Sequence, residues 1–256
     1  QHDSKLPARK LEELGKPFEN GIEVVPQVLS KDADEIKRFA ALCHRMGYGE
    51  LNWNLGCPYP MVAKKKRGSG MLPYPEMIDE ILTEALAGMP IRFSVKCRLG
   101  YLSESEFDAL VPVFNRHAIS EITIHARIGK QLYSGDTNPD AFEKAMATLH
   151  APLVYNGDVF TEENFKQISA RFPGISTFMI GRGLLSDPFL PARIKGLTIA
   201  ANEHVHIRQY IDELYHAYRR QKNDNLSVLG NLKEYSHYLA ESFNDPHKVF
   251  KQVKKV

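Results

Sequence analysis

The chain reads as a TIM-type (β/α)8 barrel followed by a small all-helical domain, and three observations lead there. Short β-rich runs alternate with longer helical patterns from Glu23 to about Pro188, the signature of a parallel sheet with helical crossovers. Each run ends in a cluster of polar or glycine residues. A barrel collects chemistry at successive strand ends in this way, whereas an open doubly wound sheet predicts a single crevice. After Pro188 no β-rich run follows, and the sequence turns helical.

The strands are read at Glu23 to Leu29, Glu50 to Asn54, Ile91 to Leu99, Glu121 to His125, Leu153 to Asn156 and Thr177 to Ile180. Between them, Asp32 to Met46 carries Ile36, Phe39, Ala40 and Cys43 at helical spacing, with Gly47 and Gly49 at its exit. Pro75 to Ala87, Glu104 to His117, Pro139 to Leu149 and Thr161 to Arg171 repeat the pattern, the last opening on a capping threonine and early acids. Six strands are read where a closed barrel has eight. Val205 to Gln221, Leu226 to Ala240 and His247 to Val256 follow as helices, separated by Asn223-Asp224-Asn225 and Asn244-Asp245-Pro246. The expected division is a barrel over 1–195 and a helical domain over 196–256.

At 256 residues the chain can bury a substantial core. Its 33 basic and 31 acidic residues give a net charge of +2, so basic surface must be local. Three cysteines without CxxC spacing argue against a disulfide framework or a structural zinc site and fit a reducing cytoplasm. The opening Gln1-His2-Asp3-Ser4-Lys5 lacks the apolar core of a signal peptide, and no run approaches a membrane span. The expectation is a cytoplasmic monomer with no membrane partner and no metal.

The strand ends carry the chemistry. Asn54-Leu55-Gly56-Cys57-Pro58 sets a cysteine just past a strand, where Gly56 permits a tight turn and Pro58 keeps the chain extended. Cys57 is therefore either a thiol used chemically or a loop cysteine of no consequence, while Cys43 and Cys97 read as packing. In Phe93-Ser94-Val95-Lys96-Cys97-Arg98, alternation puts Ser94, Lys96 and Arg98 on one face, the interior of a barrel. Lys96 either meets an anionic partner there, such as a reduced flavin ring, or reaches solvent. His125 is either a ligand to a ring or phosphate or a hydrogen-bonded core histidine.

Gly181-Arg182-Gly183 after a late strand is either a phosphate-binding turn or a plain glycine turn. Asn156-Gly157-Asp158 offers a second close backbone approach, with Asp158 able to accept from a ribityl or ribose hydroxyl. The run Lys64-Lys65-Lys66-Arg67 beside the cysteine loop is either a solvated face or a track for an anionic backbone. Tyr59, Tyr74 and Tyr133 lie near it in sequence or at a neighbouring strand end, as aromatics on which a splayed base would stack. Lys248, Lys251 and Lys255 share one face of the last helix.

In combination, NLGCP, Gly68-Ser69-Gly70, VKCRLG, IHAR followed by Gln131 and Tyr133, NGD, and MIGRG with Pro188 resemble the tRNA-dihydrouridine synthase family, from roughly Val25 onward. The resemblance implies an FMN-binding barrel, a helical tRNA-binding domain, and reduction of the C5=C6 bond of uridine in tRNA with NADPH as electron donor. It makes Cys57 the general acid toward C5, with Asn54 beside substrate and flavin. It makes Gln27, Lys96 and His125 flavin-ring and ribityl contacts, and Asn156, Gly157, Asp158, Gly181 and Arg182 the surround of the ribityl chain and phosphate. Arg127 resembles a substrate- or phosphate-facing arginine, and Lys64, Lys65, Lys66, Arg67 and Tyr133 fall to the tRNA. The family also has two strands, the first ending close to PMAGVTD, ahead of the segment matching Val24 to Leu29. Neither is present, and Gln1 to Asn20 is polar, so a segment of the natural protein is expected to be missing there. The alternatives are a flavin-dependent oxidoreductase of the dihydroorotate dehydrogenase type, acting on a free pyrimidine, and a non-catalytic RNA-binding relic.

Overall fold

A computed structural model describes residues 14–19, 21–199, 202–221 and 224–255. The polar segment Gln1 to Asn20 falls largely outside these residues, as do Asn223 of the predicted turn and Val256. Among the described residues, two short strands, β1 (Phe18–Glu19) and β2 (Ile22–Glu23), form an antiparallel hairpin. Six further strands form a single parallel sheet in sequential order. They are β3 (Gln27–Val28), β4 (Glu50–Leu55), β5 (Arg92–Arg98), β6 (Ile122–His125), β7 (Leu153–Asn156) and β8 (Thr177–Met179). Each pairs with the next in the chain, as in the wall of a TIM-type barrel, with six such strands among the described residues.

The first predicted strand, Glu23 to Leu29, is divided. Its front end joins the hairpin and its back end the sheet. Pro26 lies between the two and has no N–H for a ladder, although its carbonyl accepts from Asn52 N at 2.9 Å. The other strands fall within a residue or two of their predicted bounds.

The crossover helices are α1 (Ala33–Arg45), α2 (Pro60–Ala63), α3 (Pro75–Leu86), α4 (Glu106–Arg116), α5 (Pro139–Thr148) and α6 (Glu162–Arg171). Their starts follow from side-chain caps: Asp32, Asn138 and Thr161 each accept from the backbone N–H three residues on. Alternation along the strands then sorts the side chains. Leu51, Trp53 and Leu55 of β4 with Phe93, Val95 and Cys97 of β5 are buried, as are Ile36, Ala40 and Cys43 of α1 and Ile78, Leu82 and Ala85 of α3. Full burial of each large apolar side chain contributes about 1.5–3 kcal/mol. Trp53 also donates its indole N–H to Ser30 O at 2.9 Å. The residues between these, pointing to the other face, are mostly polar and make the site.

By contacts the chain divides into two compact units, 1–157 with 175–179, and 158–174 with 180–256. This division runs across the 195/196 boundary expected from sequence. In the second unit the short helices α7 (Arg182–Ser186) and α8 (Leu190–Ile194) precede α9 (Glu203–Gln221), α10 (Asn225–Leu239) and α11 (Pro246–Val253). Asp224 and Asp245 cap the last two. Arg193 bridges Asp187 and Glu203 at 3.0 and 2.7 Å and so ties α8 to the start of α9. Among the described residues no helix is long and apolar enough to cross a membrane, and no cluster of His, Cys, Asp or Glu could hold a metal ion.

Candidate active site

In a parallel ladder, residues in register point to the same side, so the pairing defines the polar face. Gln27 is in register with Asn52, Asn52 with Ser94, and Asn54 with Lys96. Arg98 is in register with His125, His125 with Asn156, and Asn156 with Met179. The alternation read for β5 is observed, and the same face carries the chemistry of five neighbouring strands.

The amides on β3 and β4 form a chain. Gln27 donates to Asn52 at 2.7 Å, Asn52 donates to Ser94 Oγ at 2.9 Å, and Asn54 donates back to Gln27 at 2.7 Å. Asn54 thereby has its amide hydrogens directed toward β3 and its oxygen free for the loop ahead. That oxygen accepts from the backbone N–H of Gly56 at 3.0 Å and of Cys57 at 2.9 Å. Asparagine after a strand can cap the turn that follows it in this way.

The segment Gly68-Ser69-Gly70 braces the same loop from the other side. Ser69 donates both its N–H and its hydroxyl to Cys57 O, each at 3.0 Å. Gly68 has φ +55, and a Cβ there would sit 2.6 Å from Cys57 O and 2.8 Å from Cys57 Cβ. Only glycine brings the segment this close. Cys57 is a free thiol, half-buried, whereas Cys43 and Cys97 are fully buried. Burial pushes those two thiols up to about 11 and about 12, which keeps them protonated and inert.

Lys96 is half-buried and pairs with no carboxylate among the described residues. Its ammonium donates to Asn156 Oδ1 at 2.8 Å, and Asn156 in turn donates to Met179 O at 2.8 Å. Burial lowers Lys96 from the ordinary 10.5 to about 8, and the nearby Arg98 charge adds to the effect. A desolvated cation held by a neutral amide is what an anionic group would complement, and the negative N1/O2 edge of a reduced flavin fits that requirement.

Across β6, His125 Nε2 lies 3.2 Å from Arg127 Nη1, and because a guanidinium has no acceptor, the histidine accepts. Arg127 also donates to Gly135 O at 2.6 Å. The His125 and Tyr133 rings are 6.0 Å apart. Gly157 follows directly, and a Cβ there would meet Tyr155 Oη at 2.8 Å, so this glycine permits close packing. In the basic loop Lys64, Lys65 and Lys66 are exposed, and Lys66 Nζ stands 4.0 Å from the centre of the Tyr74 ring. Arg67 is half-buried, and its Nε has no hydrogen-bond partner among the described residues.

In the second unit Asp158 and Arg182 pair with each other at 2.8 Å, a partnership that spacing in the sequence does not reveal. Arg182 also lies 5.3 Å from the Phe160 ring. The two glycines around it differ. A Cβ on Gly183 would fall 1.9 Å from Val159 O, so packing demands it, whereas the Cβ side of Gly181 is open. Asn52, Ser69 and Arg98 hold the site together but are not singled out by sequence as site residues. Their signals were the alternation along β4 and β5 and the serine between two glycines.

A parallel sheet whose polar face carries a half-buried lysine and a histidine, with a free thiol in the loop past one carboxyl strand end, defines a (β/α)-barrel protein with its site on the usual face. The chain matches the dihydrouridine synthase (Dus) family over residues 2–255, and it belongs to that family. A tRNA-dihydrouridine(16) synthase of Neisseria meningitidis serogroup B is 26% identical over 243 residues, 93% of this chain and 73% of that protein. A tRNA-dihydrouridine(16) synthase of Cupriavidus necator is 30% identical over 202 residues, 76% of this chain and 62% of that protein. The chain thus spans about three fifths to three quarters of these relatives. Among solved structures, morphinone reductase aligns over 65% of this chain and 49% of its own, with 13% identity and a TM-score of 0.48.

Proposed function

We propose that this protein is a tRNA-dihydrouridine synthase that reduces the C5=C6 bond of uridine in tRNA, with FMN as bound cofactor and NADPH as reductant. The observation that carries the proposal is the pairing of Asn54 with Lys96 across β4 and β5. It sets the residue that holds Cys57 directly beside a half-buried cation whose partner among the described residues is a neutral amide.

When bound, FMN supplies the hydride that uridine C6 receives. The residues of the chain do the rest. Lys96 neutralises the anionic edge of the ring, with Gln27 and His125 as further ring and ribityl contacts. Asn156, Gly157, Asp158, Gly181 and Arg182 receive the ribityl chain and phosphate, Arg182 being already oriented by Asp158. Cys57 donates the proton to C5, which balances hydride at C6 and leaves a thiolate to be reprotonated from solvent. Asn54 orients the thiol toward the pyrimidine. A uridine must leave its stack to reach such a site, so the protein has to grip the surrounding RNA. Lys64, Lys65, Lys66, Arg67 and Tyr133 serve that grip near the site, while Arg127, buried and held by His125 and Gly135 O, faces inward and orients the histidine instead of meeting RNA. The helices from Glu203 onward, within the second unit, serve as the tRNA-binding part, with exposed Lys248, Lys251 and Lys255 on the last segment. The protein acts as a monomer in the cytoplasm, where its substrate is.

The test is dihydrouridine mapping by mass spectrometry in tRNA from a deletion strain, with and without the protein restored. Restoration of a missing dihydrouridine supports the reading. A purified protein that is colourless, binds no added FMN and restores nothing overturns it. Cys57→Ala should keep flavin binding and flavin reduction by NADPH yet lose all but a slow residual rate of product formation, and normal turnover would remove Cys57 from the mechanism. Turnover on free uracil derivatives without tRNA would instead assign a small pyrimidine as substrate.

A further inference from the structure

We infer that Arg98 is the positioning residue for Cys57: its guanidinium fixes the peptide that carries the thiol to the turn that carries Tyr133. The inference rests on the reading of Cys57 as proton donor. Arg98 is 1% exposed and projects from the polar face of β5, one step along that face from Lys96. Its Nε donates to Gly56 O at 3.0 Å, the carbonyl of the peptide that joins Gly56 to Cys57. Its Nη1 donates to Ile128 O at 2.9 Å and Leu132 O at 2.6 Å. Its Cζ lies 5.3 Å from the centre of the Tyr133 ring.

Each neighbour gives this contact set a purpose. The N–H groups of Gly56 and Cys57 go to Asn54, and Cys57 O goes to Ser69. With Gly56 O held by Arg98, all four backbone polar groups from Gly56 N to Cys57 O are partnered. No peptide rotation that would re-aim Cys57 Cβ can occur without breaking at least one of these bonds. At the other end, Leu132 has φ 54 and ψ −105, an unfavourable conformation for a branched residue. Arg98 holds the carbonyl that follows from it, and so sets where Tyr133 stands relative to His125. Only a planar fork with several fixed donors can serve carbonyls in two separate loops; a lysine offers one charged point.

A misplacement of about 1 Å at a reacting group costs on the order of 100-fold in rate. The experiment uses the full chain loaded with FMN and compares wild type, Arg98→Lys, Arg98→Ala, Cys57→Ala and the double variant Cys57→Ala/Arg98→Ala. Dihydrouridine formation is followed in single turnover from reduced enzyme and saturating tRNA. The expected result is a loss of about 100-fold in Arg98→Ala, a smaller loss in Arg98→Lys, and no further loss when Arg98→Ala is added to Cys57→Ala, because linked residues are not additive. Equal proportional losses in both backgrounds would overturn the inference, since a merely structural arginine acts whether or not the thiol is present.

The second readout is the rate of Cys57 alkylation by iodoacetamide in oxidised protein without tRNA; Cys43 and Cys97 are buried and stay silent. It should rise several-fold in Arg98→Lys at unchanged melting temperature, and an unchanged rate would overturn the inference. Arg98→Lys carries the test if Arg98→Ala does not fold. If wild type forms no dihydrouridine, the functional reading has failed, while the alkylation rates still decide whether Arg98 orders the cysteine loop.

Discussion

Replacing Lys96 with methionine should make the flavin-free protein more stable and the flavin complex weaker, two effects of opposite sign from one side chain. Holding the ammonium in its half-buried place lowers it from 10.5 to about 8, which corresponds to a cost of about 3 kcal/mol at neutral pH. Methionine removes that cost but leaves Asn156 Oδ1 without the donor it has at 2.8 Å, a loss of about 1–3 kcal/mol. The net gain is about 1 kcal/mol, or about 2–4 °C in Tm for a chain of this size. The pH dependence gives the sharper check. Between about 8 and 10.5 the unfolded chain binds a proton at Lys96 that the folded chain has released, so wild-type stability from this group rises with pH across that window. Methionine has no such rise, so its advantage at pH 7 should vanish and reverse by pH 10. Urea unfolding of flavin-free wild type and variant at pH 7 and pH 9.5 measures the difference. FMN titration of the same two proteins should give a Kd raised about 10- to 100-fold in the variant, the worth of a charged hydrogen bond. A stability difference that does not change with pH would refute the buried-charge argument, and an unchanged FMN affinity would refute the cofactor role.

Three further outcomes follow from the packing. Gly68→Ala has to push a methyl into Cys57 O at 2.6 Å from a left-handed backbone, so it should cost about 1–3 kcal/mol and displace the thiol; thermal melts and turnover measured together should show both. Gly183→Ala would place Cβ 1.9 Å from Val159 O and should destabilise the second unit more than Gly181→Ala, whose Cβ side is open, as circular dichroism melts of the pair will show. The hydrogen bond from His117 at 2.7 Å, helped by the Arg116 charge at 2.9 Å, holds the Asp79 carboxyl below the ordinary carboxylate range. That stability is present above the unfolded pKa and is lost as pH falls through the lower folded value, so Asp79→Asn should lower stability at pH 7 and flatten the acid limb below about pH 4 in urea unfolding.

The sheet was legible in sequence because its order demands nothing beyond local patterns: each strand pairs with the next, and helices with capped starts lie between. The divided first strand was not, because Glu23 to Leu29 has the composition of one strand and only Pro26 forces the break. The grouping of residues 158–174 with the later helices was not visible in sequence either, because the helix from Thr161 to Arg171 reads as an ordinary crossover by its own periodicity and only contacts assign it to the second unit.

At the site, alternation told which side chains share a face but not what each one holds. Ser94, Lys96 and Arg98 were placed together by a period of two, yet the partner of Lys96 lies 60 residues away on β7, and those of Arg98 lie 42, 30 and 34 residues away in loops. A cation in a strand usually calls for an acid, so a search for carboxylates would have missed both. Lys96 rests on an amide and Arg98 on carbonyls, and the two solutions differ in consequence. Three carbonyls in two loops satisfy a guanidinium whose charge is permanent, which leaves Arg98 a fixed structural cation. One amide oxygen leaves an ammonium short of anionic compensation, and the fall toward 8 registers that shortfall. Two adjacent cations on one strand face would otherwise repel without purpose. With Arg98 engaged by the cysteine loop, Lys96 is the cation of this strand pair left for the proposed anionic ring edge, which would then lie on the side of the face next to Asn54 and Cys57.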